Sequence, residues 1–310
     1  MERRPAVKIS DRGRLALLGV AALAFLAFVV GASAGADSGS ASGTVGYIKH
    51  LPLPGPSVAA QQAKAFQTVT SYTDYITKGT PNSKEVALTF DDGPSAFTPK
   101  FLAVLNQTKT PATFFTVGNT YEGFTPAAQA AALNGYVVAN HTWNHAGMNT
   151  LDAAGQNAQI DQANAAIEGA GIPKPGLFRP PYGAYDATTV DIMKQRKMIV
   201  VLWSIDSQDW TLPGTDAIVQ NVLSNISAGD IVLMHDGGGD RSQTLAALPR
   251  IIAGIKQKGL KPVTVPQLLA SLIAEAHDSA AADPPSAGAV DGGQGATRPP
   301  APTTYRFPME

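Results

Sequence analysis

Between residues 84 and 276 the chain alternates between two kinds of apolar pattern. Short runs of β-branched and aromatic residues carry no polar face: EVALTF, ATFFTV, YVVAN, GLFRP, MIVVLWSI, DIVLMH and KPVTV. Between them lie longer segments that read as helices, at 99–107, 126–133, 153–170, 187–196, 216–224, 244–258 and 266–275. A strand apolar on both faces is covered on both faces, as in a parallel sheet flanked by helices. Regular strand–helix alternation therefore predicts an α/β fold with a parallel sheet. Seven such units in one domain favour a closed or nearly closed (β/α) barrel over an open sheet. In barrels the reactive side chains collect at the C-terminal ends of the strands.

Outside this region the pattern changes. Arg3, Arg4, Lys8, Arg12 and Arg14 precede a charge-free apolar run over 15–36, the form of an export signal. No polar face interrupts the apolar residues from Leu15 to Val30, which argues against a buried amphipathic helix. Small residues at Ala32, Ser33 and Ala34 offer a cleavage site, so 1–36 reads as a signal peptide. The run also approaches the ~20 residues that span a bilayer. An uncleaved anchor with its arginines inside stands beside the first reading. Either way the remainder is expected to work outside the cytoplasm, secreted or held at the plasma membrane. Residues 37–83 read as a linker and pre-domain segment: Ser/Gly/Ala-rich, then an extended LPLPGP, then a short helix over 57–76. Residues 277–310, rich in Ala, Pro, Gly and Asp, read as a disordered tail.

Composition narrows the chemistry. The 310-residue chain has a net charge of −1, too balanced for a broad nucleic-acid footprint. It has no cysteine, which excludes disulfides, thiolate metal sites and cysteine nucleophiles. Carboxylates, imidazoles and guanidinium groups remain, and they gather at strand ends. Asp91 and Asp92 end the first run, NHTWNH follows YVVA, RPPYG follows GLF, DSQDW follows VVLWSI, and HDGGG follows DIVLM.

Each segment suits a particular task. His141 and His145 are spaced i, i+4; on a helical turn both imidazoles would face one side and grip one metal. Two imidazoles and a carboxylate suit zinc with a position left open for water. Of two adjacent aspartates, one can bind the metal while the other accepts a proton from water. Turn chemistry alone explains Asp92-Gly93 but not a second carboxylate directly before it. Arg179 at a strand end can orient a carboxylate and keep it ionised. Pro180 and Pro181 fix the backbone ahead of Tyr182, so that its N–H becomes a rigid donor suited to an oxyanion. His235, partnered by Asp209 or Asp206, can act as a general acid towards a leaving amine.

The segments TFDDGPS, HTWNH, RPPYG, DSQDW and LMH resemble, in order, the five motifs of the polysaccharide deacetylases, carbohydrate esterase family four, also called the nodulation-type deacetylase domain. The likeness spans 84–276 and takes in framework segments such as ATFFTVGN and GDIVLMHD. It implies a distorted (β/α)7 barrel and a divalent metal, zinc first, with cobalt, manganese or nickel as alternatives. It implies Asp91 as catalytic base and Asp92, His141 and His145 as metal ligands. Arg179 would orient Asp91, and Tyr182 would supply the backbone oxyanion donor. His235 would be the acid, tuned by Asp209, with Trp210 and Leu233 lining the pocket for the acetyl methyl. The substrate implied is an acetylated polysaccharide: peptidoglycan N-acetylglucosamine first, chitin oligomers or acetylxylan as alternatives. One position departs from the family pattern, with Ala146 standing where proline commonly follows the second metal histidine.

Three other readings compete. A silent glycan-binding domain would need neither base nor acid. A related amidohydrolase acting on a small cyclic imide or purine-derived amide fits poorly with export. A structural envelope protein with a polar strand-end network would not hold stoichiometric metal.

Overall fold

The structure, a computed structural model, describes residues 73–282, with side chains to Glu275. The export segment 1–36, most of the linker and the tail beyond Ala282 lie outside the described residues. Among the described residues no helix is long and apolar enough to cross a membrane.

The elements run β1 (Tyr75–Ile76), β2 (Glu85–Gly93), α1 (Thr98–Thr108), β3 (Thr113–Thr116), α2 (Tyr121–Leu133), β4 (Val137–Asn140), α3 (Ala153–Gly169), β5 (Leu177–Phe178), α4 (Ala187–Arg196), β6 (Ile199–Val201), β7 (Ile205–Asp206), α5 (Thr215–Leu223), β8 (Ile231–His235), α6 (Ser242–Gln257), β9 (Lys261–Val263) and α7 (Val265–Ala282), with short 3-10 turns between some of them. The strands order as β1-β6-β5-β4-β3-β2-β8-β7, with β9 also on β2. Every ladder between these strands is parallel, so all their C-terminal ends share one edge.

The sheet is curled into a half-barrel, and one contact makes the curl necessary. Arg179 leaves β5 and Asp91 lies near the C-terminal end of β2, three strands away in the sheet. On a flat sheet that is ~14 Å, farther than the two side chains span. Their atoms nevertheless meet at 2.6 Å.

Strand periodicity decides which residues fill the two faces. Val86, Leu88, Phe90, Phe114, Val138, Val232 and Met234 pack under the helices with Phe101, Leu105, Leu248 and Ile251. Ala87, Phe115, Ala139, Leu177, Ile199, Val201 and Ile231 pack together on the other face. Continued at a period of two, that second face delivers Asp91, His141, Arg179, Leu233 and His235. The apolar floor and the polar edge above it are thus one set of rows. Each fully buried Phe, Leu or Ile contributes about 1.5–3 kcal/mol, which fixes the strand ends under the site.

The structure differs from the pattern in three places. The MIVVLWSI run is two strands, because its halves have different partners. The Leu202 N–H bonds Ile76 of β1, while the Ser204 N–H bonds Ile231 of β8. Tyr75 and Ile76, expected to close a helix, instead pair in parallel with Val200 and Val201. That pairing puts a strand of the sheet ahead of residue 84. At the other end α7 runs to Ala282, so residues 277–282 are helical. The alanines that suggested a tail are also the best helix formers.

Candidate active site

The acidic pair sits where β2 stops being regular. Asp91 keeps its register opposite Phe115 and His235, and a bulge follows between Asp91 and Gly93. Adjacent strand residues point to opposite faces, so two neighbouring carboxylates cannot otherwise reach one spot. The bulge, with Asp92 in the left-handed region at φ 70°, removes that restriction. The glycines after His235 make room for it. A Cβ on Gly238 would stand 2.3 Å from Asp92 Oδ2, and one on Gly237 2.0 Å from the Asp92 carbonyl oxygen.

The two imidazoles come from the loop after β4. The i, i+4 spacing is not helical here: Thr142 and His145 both have left-handed backbone, at φ 70° and 62°. Side chains, not helix hydrogen bonds, hold the turn. Asn140 accepts the Thr142 N–H, Thr142 accepts the His145 N–H, and Gln159 on α3 accepts those of Trp143 and Asn144. His141 Nδ1 lies 2.7 Å from the Arg179 carbonyl oxygen, so Nδ1 carries the proton and Nε2 is left as a donor atom. His145 Nδ1 lies 3.1 Å from the Tyr182 hydroxyl.

Both Nε2 atoms face one oxygen. Asp92 Oδ1 is 3.2 Å from His145 Nε2 and 3.5 Å from His141 Nε2. One donor atom from each of the three residues lies within 4.8 Å of the others, and together they could hold a metal ion. Ligands bound tetrahedrally at about 2.0–2.1 Å stand about 3.3 Å apart, close to these spacings. Asp92 Oδ1 is otherwise buried with no hydrogen-bond partner among the described residues. Burial pushes the Asp92 carboxyl up, but the contact with His141 and the charges of His141, His145 and His235 outweigh it, so the group stays well below the usual carboxylate range. Burial, helped by His141, pulls His145 down, which favours the neutral imidazole that a metal requires.

Beside this triad Asp91 is held from behind. Arg179 is fully buried and donates through Nη1 to Asp91 Oδ1 at 2.6 Å and to Thr89 at 2.8 Å. Its Nε and Nη2 donate to the carbonyls of Val201 and Leu202, each at 3.1 Å. The guanidinium also lies over the Phe115 ring, 4.1 Å from its centroid. Burial lowers the Arg179 pKa, and the Asp91 charge opposes the shift. The second Asp91 oxygen stays free of the arginine, 3.7 Å from His141 Nε2.

Asp209, not Asp206, sits against His235. Asp209 Oδ1 is 2.7 Å from His235 Nδ1, and its Oδ2 accepts the His235 N–H and the Thr244 hydroxyl, each at 2.9 Å. Burial lowers the imidazole pKa, but the Asp209 contact and charge, with the charges of Asp91 and Asp92, outweigh this and raise it. Asp206 accepts the Gln208 N–H, and burial raises its pKa. Leu233 is buried in β8 two residues before His235. Tyr182 and Trp210 are 69% and 57% exposed and stand at the open rim. Tyr182 has left-handed backbone at φ 60° directly after Pro180-Pro181, and its ring packs edge-on against His145.

Pattern reading missed Thr89, Gln159, Thr244 and Asp236. The first three are ordinary polar residues whose partners are remote in sequence. Asp236 had a signal, since it directly follows His235 in HDGGG. Its carboxyl is fully buried, and burial, reinforced by the Asp92 and Asp91 charges, pushes it up to about 7.

Residues 78–201 match the model of the family described as Polysaccharide deacetylase. A peptidoglycan-N-acetylglucosamine deacetylase of Bacillus cereus is 39% identical over 202 residues, 64% of this chain and 94% of the relative. A chitooligosaccharide deacetylase of Sinorhizobium fredii is 34% identical over 209 residues, 63% of this chain and 97% of the relative. The crystal structure of a peptidoglycan N-acetylglucosamine deacetylase, in complex with 4-naphthalen-1-yl-N-oxidanyl-benzamide, superposes with a TM-score of 0.62 at 34% identity, over 66% of this chain and 95% of that one.

Proposed function

From the premise that this chain belongs to the polysaccharide deacetylase family, hydrolases that act on N-acetyl groups, we propose that it deacetylates peptidoglycan N-acetylglucosamine outside the cytoplasm. The observation that carries the catalytic reading is the convergence of Asp92, His141 and His145 directly beside an arginine-held Asp91. The substrate follows from the relatives and from the export signal, with chitin oligomers as the alternative suggested by the rhizobial relative. On the same reading 84–276 is the catalytic domain and the half-barrel is a distorted (β/α)7 barrel. Its remaining gap lies between β1 and β7, the two ends of the strand order.

Two nitrogens and one oxygen suit zinc, and Asp92, His141 and His145 would hold it. When bound, the cation supplies Lewis acidity towards the acetyl carbonyl and the attacking water. The chain's own groups do the rest. Asp91 accepts the proton that the water loses as its oxygen attacks the carbonyl carbon. Arg179 holds Asp91 in place through the bond to its Oδ1. The Tyr182 N–H donates to the carbonyl oxygen as it gains negative charge. His235 gives its proton to the sugar nitrogen as the carbon–nitrogen bond breaks. Amide and water become acetate and a free amine. Leu233 and Trp210 bound the space for the acetyl methyl. Ala146 leaves the sequence spacing of His141 and His145 unchanged.

The test is acetate release from purified peptidoglycan, chitin oligomers and acetylxylan in parallel, with zinc, after chelation, and after zinc is restored. Zinc-dependent release, greatest from peptidoglycan, is expected. A zinc-loaded protein that frees no acetate from any of the three would reject the reading.

A pH prediction follows from the Asp209–His235 contact. His235 must carry a proton to act as acid, and Asp209 raises its pKa. The protonated form therefore persists to higher pH with Asp209 than without it. In Asp209→Asn the basic limb of the kcat profile is expected to move to lower pH. An unmoved limb with lower activity would assign Asp209 a structural role alone.

A further inference from the structure

The acidic motif continues past its two aspartates as Gly93-Pro94-Ser95, and the acid motif past its histidine as Asp236. None of these residues enters the mechanism above, yet they touch one another. Ser95 donates its hydroxyl to the Asp236 carbonyl and accepts the Phe97 N–H at 3.0 Å. Thr98, the first residue of α1, donates its hydroxyl to Asp236 Oδ2 and accepts the Ser95 N–H at 2.8 Å. The Asp236 N–H returns to the Asp91 carbonyl at 3.1 Å. These bonds tie the turn after Asp91-Asp92 to the end of β8 from both sides.

The fit around Asp236 is close. A Cβ on Gly93 would stand 2.6 Å from both carboxyl oxygens, so glycine is the residue that lets this side chain lie against the turn. Asp236 is fully buried, and its Oδ1 has no hydrogen-bond partner among the described residues. Burying a polar oxygen without a partner costs about 1–3 kcal/mol. An alanine there would avoid that cost but would release Thr98 and leave a void behind Gly93.

We propose that Asp236 is a positioning residue that clamps the Asp91–Asp92 turn through Thr98, Ser95 and Gly93, and so sets how well Asp92 meets the two imidazoles. This rests on the deacetylase reading for its effect on turnover, but its effect on metal affinity does not need that reading. Asp92 reaches His141 and His145 only because the bulge holds it at φ 70°, and the clamp fastens the residue that follows the bulge.

The experiment compares the full chain with Asp236→Ala, Asp236→Asn and Thr98→Val. Zn2+ affinity is read by competition with a chromogenic chelator, alongside kcat and KM on an N-acetylated chitooligosaccharide. Groups that orient metal ligands typically change affinity by about 10–100-fold. Asp236→Ala and Thr98→Val are expected to weaken Zn2+ binding at least tenfold and to lower kcat with KM unchanged. Asp236→Asn keeps the shape and an oxygen for Thr98, and is expected to recover most of both. Wild-type Zn2+ affinity and kcat in folded Asp236→Ala overturn the proposal. Should that variant fail to fold, wild-type values in Thr98→Val overturn it equally. A wild-type protein that binds Zn2+ but releases no acetate would sink the deacetylase reading, while the affinity comparison still decides the clamp.

Discussion

Asp91→Asn is expected to lower turnover by roughly a hundred- to ten-thousand-fold, the range lost with a general base, while zinc content stays at the wild-type level. The amide matches the carboxylate in shape and can still accept the hydrogen bond that Arg179 gives to Asp91 Oδ1. It cannot take a proton from water. The donor set of Asp92, His141 and His145 is untouched by the change. Parallel measurement of acetate release and of zinc by elemental analysis separates the two roles. Wild-type turnover would remove Asp91 from the base assignment. Loss of zinc would mean that Asp91, 3.7 Å from His141 Nε2, serves the metal instead.

The second large effect is on the fold as well as the chemistry. Arg179→Met keeps an apolar stem under Phe115 and Trp203 but deletes donors to Asp91, Thr89, Val201 and Leu202. A buried carboxylate that loses its partner typically costs about 3–5 kcal/mol. In a domain of this size each kcal/mol is worth about 2–4 °C in Tm, so a fall on the order of 10 °C is expected. Activity is expected to fall too, because Asp91 loses the donor that holds it in position. Adding Asp91→Asn should restore part of the lost stability, since the neutral amide no longer needs the guanidinium. A thermal shift under 2 °C for Arg179→Met, or no recovery in the double variant, would contradict this account.

Much of the architecture is legible in the chain because it is periodic. Runs such as ATFFTV and DIVLMH carry apolar residues on both faces, and only a sheet covered on both sides has use for that. The period of two then continues past the apolar floor into Asp91, Leu233 and His235, which is why strand ends could be read as the place for chemistry. The helix over 187–196 is marked locally as well, by Asp186 and Thr189 forming a capping box at its start.

Other features have no local cause. The spacing of His141 and His145 fits a helical turn, but the loop there is fixed by Gln159 and Thr142, and φ turns positive twice. MIVVLWSI looks like one strand, and only the positions of β1 and β8 divide it. Asp206 and Asp209 flank the same turn with similar credentials, and packing against His235 and Thr244 selects Asp209.

By itself, then, the sequence determined the alternation of buried strands and covering helices, and which residue types would stand at the strand ends, because both depend on neighbours a few positions away. Only the tertiary structure decided that the sheet curls far enough for Arg179 to reach Asp91 across 88 positions of chain, that Asp92 bulges towards two imidazoles, and that Asp236 stands behind them. Those outcomes depend on contacts between remote segments, where a bond forms only after the chain has closed around it.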